Sequence, residues 1–220
     1  MQFLTDFADL ATVLPIAVCI GLSLAWVSWW RGAAAWSGSI LVALLAISAL
    51  KLHFLACGPT SGFSPSGHTA AGTAVYGGVA ALILRRWLGA PAAWLLAGGS
   101  IAALVGYSRI ALHVHDLREV LIGACVGLSA VAALLASAGP APKGLRPRAL
   151  LSPALLVIIP LHGLRLPAEP LVHRSAAWLA PLICGVSTAS RPNTAAKSSA
   201  DGNNTAYFAV MQLPAHPFGM

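Results

Sequence analysis

Three short stretches of this chain concentrate residues that could act on an anion. Lys51 and His53 precede Gly58-Pro59. Pro65-Ser66-Gly67-His68 opens an apolar run. Ser108-Arg109 leads to His113, His115, Asp116, Arg118 and Glu119. At a helix start Gly67 permits close backbone approach, and free amides there face an anion with the helix dipole behind them. Ser66 either caps the helix or donates its hydroxyl to the same anion. His68, in the first turn, stands where a proton can be given or taken near neutral pH. Arg109 offers a planar fork of donors suited to phosphate oxygens. His115 and Glu119 are four apart, so on a helix they share a face. Glu119 can then accept from one ring nitrogen of His115 and leave the other as a free lone pair, the orienter–base arrangement of an activated nucleophile.

His113, His115 and Asp116 also allow a metal-ligand reading. It is disfavoured because helical residues i and i+2 point about 200° apart, and because Lys51 and Arg109 would repel a cation. No metal and no cofactor are expected. Asp116, adjacent to His115, competes with Glu119 as its orienter, and the i,i+4 spacing favours Glu119.

The elements that hold these residues must lie in a membrane. Of 220 residues 58% are hydrophobic and 9% charged, whereas a soluble domain carries about 25% charged residues. The basic residues behind the net charge of +7 sit mostly singly or in small groups between apolar runs and form no nucleic-acid patch. Six segments approach the roughly 20 residues a spanning helix needs: about 10–30, 35–56, 68–84, 92–112, 117–137 and 149–164. The fold expected is an all-α polytopic bundle of about six transmembrane helices over residues 1–166. Residues 167–186 read as an interfacial or packed segment interrupted by Pro181, and 187–220 as a disordered tail. Asp6 and Asp9, ahead of the first basic residue, argue against a cleaved leader.

Arg31, Arg85–Arg86 and Lys143, Arg146 and Arg148 fall in alternate connections, which the positive-inside rule assigns to the cytoplasm. Both termini and the stretches around 57–67 and 113–116 then face outward. Trp26, Trp29, Trp30 and Trp36 near Arg31, with Trp87 and Trp94 near Arg85, read as an aromatic belt. Cys19 and Cys125 read as small core residues. Cys57 and Cys184 fall where oxidation could occur, with pairing the less favoured reading.

The three stretches together resemble the signature of the type 2 phosphatidic acid phosphatase superfamily, in its membrane-bound lipid phosphatase branch. That signature is Lys, six residues, Arg-Pro; then Pro-Ser-Gly-His; then Ser-Arg, five residues, His, three residues, Asp. Here these read Lys51 to Gly58-Pro59, residues 65–68 intact, and Ser108-Arg109 to His115 and Glu119. The resemblance covers about residues 35–137. Gly58 replaces an Arg, and Glu119 replaces an Asp. The missing guanidinium leaves His53 and Arg118 as candidate substitutes.

The resemblance implies that His115 attacks phosphorus with Glu119 orienting it, and that His68 protonates the leaving oxygen and then activates water. Lys51, Ser66, Gly67 and Arg109 would bind the phosphoryl oxygens. The expected activity is metal-independent hydrolysis of a lipid phosphate monoester or polyprenyl diphosphate, with a phospholipid or polyprenyl phosphate as substrate, at an inner or plasma membrane with the site facing outward. The alternatives are a lipid phosphotransferase, or a weakened homologue that binds or transports lipid phosphates.

Overall fold

The computed structural model describes residues 7–58, 63–142, 147–161 and 168–184, and among them every regular element is a helix. In chain order these are α1 (Leu10–Trp26), α2 (Trp30–Cys57), α3 (Gly67–Leu88), α4 (Ala90–Ala111), α5 (Leu117–Ser137), α6 (Pro147–Leu161) and α7 (Ala168–Cys184). Four of them, α2 to α5, are long and apolar enough to cross a membrane. Helices also form in the first and sixth expected spans. At 17 and 15 residues they fall short of the full crossing expected there. The chain is therefore an all-α polytopic membrane bundle, and among the described residues four helices have the length and apolarity of a span.

The apolar composition is divided between core and lipid. Val13, Ile16, Ile20 and Leu24 of α1 meet Trp36 of α2, Val75 and Leu82 of α3, and Val131 and Leu134 of α5 in one buried cluster. Val18, Leu22, Leu41, Leu45, Leu95 and Leu121 stay exposed, as lipid-facing side chains do. The tryptophans follow the same division, which revises the belt. Trp26, Trp30 and Trp87 are exposed, but Trp29 and Trp36 are buried. The Trp36 indole N–H donates to the Ala17 carbonyl at 2.8 Å, which satisfies a polar group inside the core.

Small residues set the distance between α5 and α3. Gly123 and Gly127 follow Glu119 at intervals of four, along one face of α5. A Cβ at Gly123 would collide with the Ser66 carbonyl, and one at Gly127 would stand 2.8 Å from the Ala70 carbonyl. The backbone of α3 thus lies directly on the glycine face of the helix that carries Glu119.

The far end of α5 is capped by arginines. Arg31 Nε donates to the Ser137 carbonyl at 2.9 Å, and Arg85 donates to the Gly139 carbonyl at 2.6 Å. The Ser137 carbonyl is one that a helix end leaves unpaired, the Gly139 carbonyl lies in the turn just after it, and cations there also suit the helix dipole. Arg85 stands 5.2 Å over the Trp29 ring.

Helix α7 runs through Pro181 and packs its Ala176 and Ala180 on Ala56 of α2. A disulfide joins Cys57 and Cys184, the pairing that sequence reasoning had disfavoured. Small side chains bring the two helices close enough, with Cα atoms 5.6 Å apart. Pro59, Lys143, Arg146 and the segment 187–220 lie outside the described residues.

Gly127→Val should lower the unfolding temperature in detergent, by overpacking worth about 1–3 kcal/mol. Gly38→Ala, where a Cβ meets nothing within 4 Å, should leave stability unchanged or raised. Equal unfolding temperatures for the two variants would contradict the close α3–α5 contact.

Candidate active site

The polar residues gather at one end of the bundle, where α2 and α4 finish and α3 and α5 begin. Helix α2 has 28 residues, about 42 Å at 1.5 Å per residue, so it outreaches a hydrocarbon layer about 30 Å thick. Lys51 sits near its end and is buried, with its Cε 3.4 Å and its Nζ 3.9 Å from where a Gly67 Cβ would stand. Gly67 thus leaves room for the ammonium beside the start of α3.

Ser66 is the N-cap of α3. Its hydroxyl oxygen accepts from the Thr69 amide at 3.4 Å and from the Thr69 hydroxyl at 2.9 Å. Ser66 is fully buried. Both contacts use the oxygen's lone pairs, so the structure shows Ser66 in its capping role while its own O–H is committed to neither of them. His68 follows two residues later, and its side chain is 23% exposed.

On the opposing loop, His115 lies outside the helix and Asp116 is the N-cap of α5. Asp116 Oδ1 accepts from the Glu119 amide at 2.8 Å, while Glu119 Oε2 accepts from the Asp116 amide at 3.2 Å, a complete capping box. The same Oε2 lies 2.7 Å from His115 Nδ1. The pair therefore meets because Glu119 folds back over the helix start, rather than along a helix face as the spacing suggested. Asp116 does not compete for the ring, because the cap occupies it.

Glu119 also ties the two loops together. Its Oε1 accepts from the Ser64 amide at 2.5 Å, and its main-chain carbonyl accepts from the Ser66 amide at 3.0 Å. With two main-chain amides already donating to it, the carboxylate meets Nδ1 as an acceptor. The neutral ring then carries its proton on Nδ1 and a lone pair on Nε2. Ser64 itself was not foreseen as part of the site, since its contribution is a main-chain amide that no residue type announces.

Burial holds His115 below its ordinary 6.5, outweighing the hydrogen bond and charge of Glu119, which raise it. Arg109 and Lys51 are near enough for their charges to lower it further. The ring is thereby kept neutral beside two cations.

The remaining candidates have other roles. His113 lies in the turn just after α4, in the left-handed region (φ 55°), with its amide donating to the Ile110 carbonyl, and it is exposed. His53 is exposed, and its ring packs edge-on to Phe54. Arg118 is exposed as well. Gly58 caps α2 through its amide on the Phe54 carbonyl at 2.9 Å, and a Cβ there would collide with that same carbonyl. Arginine at 58 therefore requires a different backbone, so the departure extends beyond a missing side chain. Among the described residues no three His, Cys, Asp or Glu side chains converge as a metal cage requires.

The fold and this end of it define a membrane protein with a carboxylate-held imidazole, a second histidine at a helix start and two nearby cations. A model of the PAP2 superfamily matches residues 46–141, from the last turns of α2 to just past α5. An uncharacterized 22.5 kDa protein in the cps region of Klebsiella pneumoniae is 30% identical over 196 residues, covering 82% of this chain and 92% of that protein. The chain belongs to the PAP2 superfamily, which supports a phosphatase-type function. No solved structure matches it.

A histidine lowered on folding is harder to protonate in the native state than in the unfolded one. Its contribution to stability is therefore full above 6.5 and is lost as pH falls below that value. His115→Gln should flatten the fall in unfolding temperature on acidification below pH 6.5. An identical fall in wild type and variant would contradict the burial of a neutral ring.

Proposed function

We propose that the chain is a metal-independent membrane phosphatase that hydrolyses a lipid phosphate monoester or a polyprenyl diphosphate through a phosphohistidine. The observation that carries this reading is the 2.7 Å contact between His115 Nδ1 and the Glu119 carboxylate. With Nδ1 held, the Nε2 lone pair attacks phosphorus, and Glu119 balances the positive charge that develops on the ring. The bond from phosphorus to the leaving oxygen breaks as His68 supplies that oxygen with a proton. Water then attacks the phosphohistidine, His68 takes the water proton, and the P–N bond breaks to free phosphate and neutral His115. Lys51, Arg109 and the amides at Gly67 stabilise the charge on the equatorial oxygens. Two cations in place supply the positive field that a metal ion would otherwise bring.

A lipid substrate suits a site at the ends of four spanning helices, because a head group can enter while its tails remain in the hydrocarbon. An extracytoplasmic site is supported by two independent features. Arg31 and Arg85 lie at the opposite end of the bundle from His115. The Cys57–Cys184 disulfide is six residues from Lys51, at the site end, and disulfides persist on the oxidising side of a membrane.

Rapid quenching of purified protein with labelled lipid phosphate should trap acid-labile phosphate on His115. His115→Ala should abolish both label and turnover, and His68→Ala should cost on the order of 10²–10⁴ in rate. Excess EDTA should leave turnover intact. Absence of label and of released phosphate would favour the binding or transport reading, and label passed to an added alcohol in preference to water would favour a phosphotransferase.

In intact cells, cysteine at Val114 should react with an impermeant thiol reagent, and cysteine at Trp87 should not; both positions are exposed. The reverse pattern would place the site on the cytoplasmic face.

A further inference from the structure

The stretch just before α1 lies along α3 in an ordered way. His68, Gly72 and Tyr76 are spaced by four and form one stripe on α3, and each meets a successive residue of the segment 7–9. The Tyr76 hydroxyl donates to the Phe7 carbonyl at 2.5 Å. Ala8 is buried, with its Cβ 3.3 Å from where a Gly72 Cβ would stand. Asp9 Oδ2 lies 3.7 Å from His68 Nε2. The two Asp9 oxygens divide their work, since Oδ1 accepts from the Ala11 amide at 2.9 Å and so caps α1. The carboxylate is 10% exposed, and three neighbouring contacts fix its place.

We propose that Asp9 is the positioning residue for His68: docked through Phe7 and Ala8 onto α3, it holds the imidazole by ion pairing in the orientation that delivers a proton to the leaving oxygen. The assignment rests on the phosphatase reading above, in which His68 is the general acid. It gives the second histidine a carboxylate of its own, as Glu119 is for His115. In the step concerned, Nε2 of His115 bonds to phosphorus, the phosphorus–oxygen ester bond breaks, and the proton on His68 moves to the departing oxygen. The proposal adds no other reactant.

The test exploits the fact that an alkoxide must be protonated as it leaves, whereas p-nitrophenolate need not be. Asp9→Asn keeps an N-cap but removes the charge, and Asp9→Ser keeps a cap but cannot reach His68. For each variant kcat/KM, which reports phosphoryl transfer to His115, is measured on an alkyl phosphate and on p-nitrophenyl phosphate, alongside the unfolding temperature. Both variants should lose at least roughly tenfold more on the alkyl ester than on the aryl ester, within the 10²–10⁴ range of a general acid. His68→Ala should show the same selectivity, Asp9→Asn should add little to it, and Asp9→Glu should recover part of the loss. Equal losses on the two esters, or no loss, in protein that unfolds at the wild-type temperature would overturn the proposal. So would selectivity in Asp9→Asn that persists undiminished on top of His68→Ala. If His68→Ala itself shows no ester selectivity while His115 still traps phosphate, the general-acid assignment fails and takes the role of Asp9 with it. If wild type cleaves neither ester and traps no phosphate, the phosphatase reading has failed instead.

Discussion

Glu119 sits at the bundle end with both carboxylate oxygens occupied: Oε1 by the Ser64 amide, and Oε2 by the His115 ring and the Asp116 amide. A carboxylate with so little exposure is costly unless its lone pairs are met, and here three donors meet them. Its main-chain carbonyl adds a fourth tie, to the Ser66 amide. The residue that orients His115 is therefore also the brace between the loop entering α3 and the loop entering α5. The superfamily signature has Asp at this position, and the longer Glu is the side chain that completes a capping box at the third helical residue. Orientation and bracing come from one side chain of the required length.

The brace works because the helices behind it cannot drift. Gly123 and Gly127 bring the α3 backbone onto α5, so the helix start that holds Gly67 and His68 has a fixed height relative to Glu119. At the other end, Arg31 and Arg85 close the last carbonyls of α5 and the turn after it. Helix α5 is thus tied at both ends and packed along its glycine face. The same arrangement places charge where it is tolerated: cations cap carbonyls at one end and surround the site at the other, and the span between them is apolar.

Much of the site was legible because residue type and spacing are local properties. Pro-Ser-Gly-His announced a capped helix start, and Ser66 does cap one. The spacing of His115 and Glu119 announced their pairing, although it arises from a capping box around Asp116 instead of a shared helix face. What sequence reasoning missed depends on contacts between distant parts of the chain. Asp9 read only as an acid before an apolar run, since nothing nearby indicates that it meets His68. Cys57 and Cys184 are 127 residues apart, and the alanines that let α2 and α7 approach form no motif. Trp29 and Trp36 looked like belt residues because composition does not distinguish an indole facing lipid from one bonded to a carbonyl inside the bundle. Helix existence was legible over every span, whereas span length was not: apolar residues continue past the ends of α1, which stops at Trp26.

The central claim is that Glu119 fixes His115 with its proton on Nδ1 and its lone pair on Nε2. The nitrogen-15 spectrum of histidine-labelled protein in detergent reads this tautomer directly, with the His115 signals assigned by their loss in His115→Gln. Above the ring's titration, the account predicts a protonated Nδ1 and an unprotonated Nε2, and loss of that preference in Glu119→Gln. A ring with its proton on Nε2, or one averaging freely between the two forms in wild type, would contradict it.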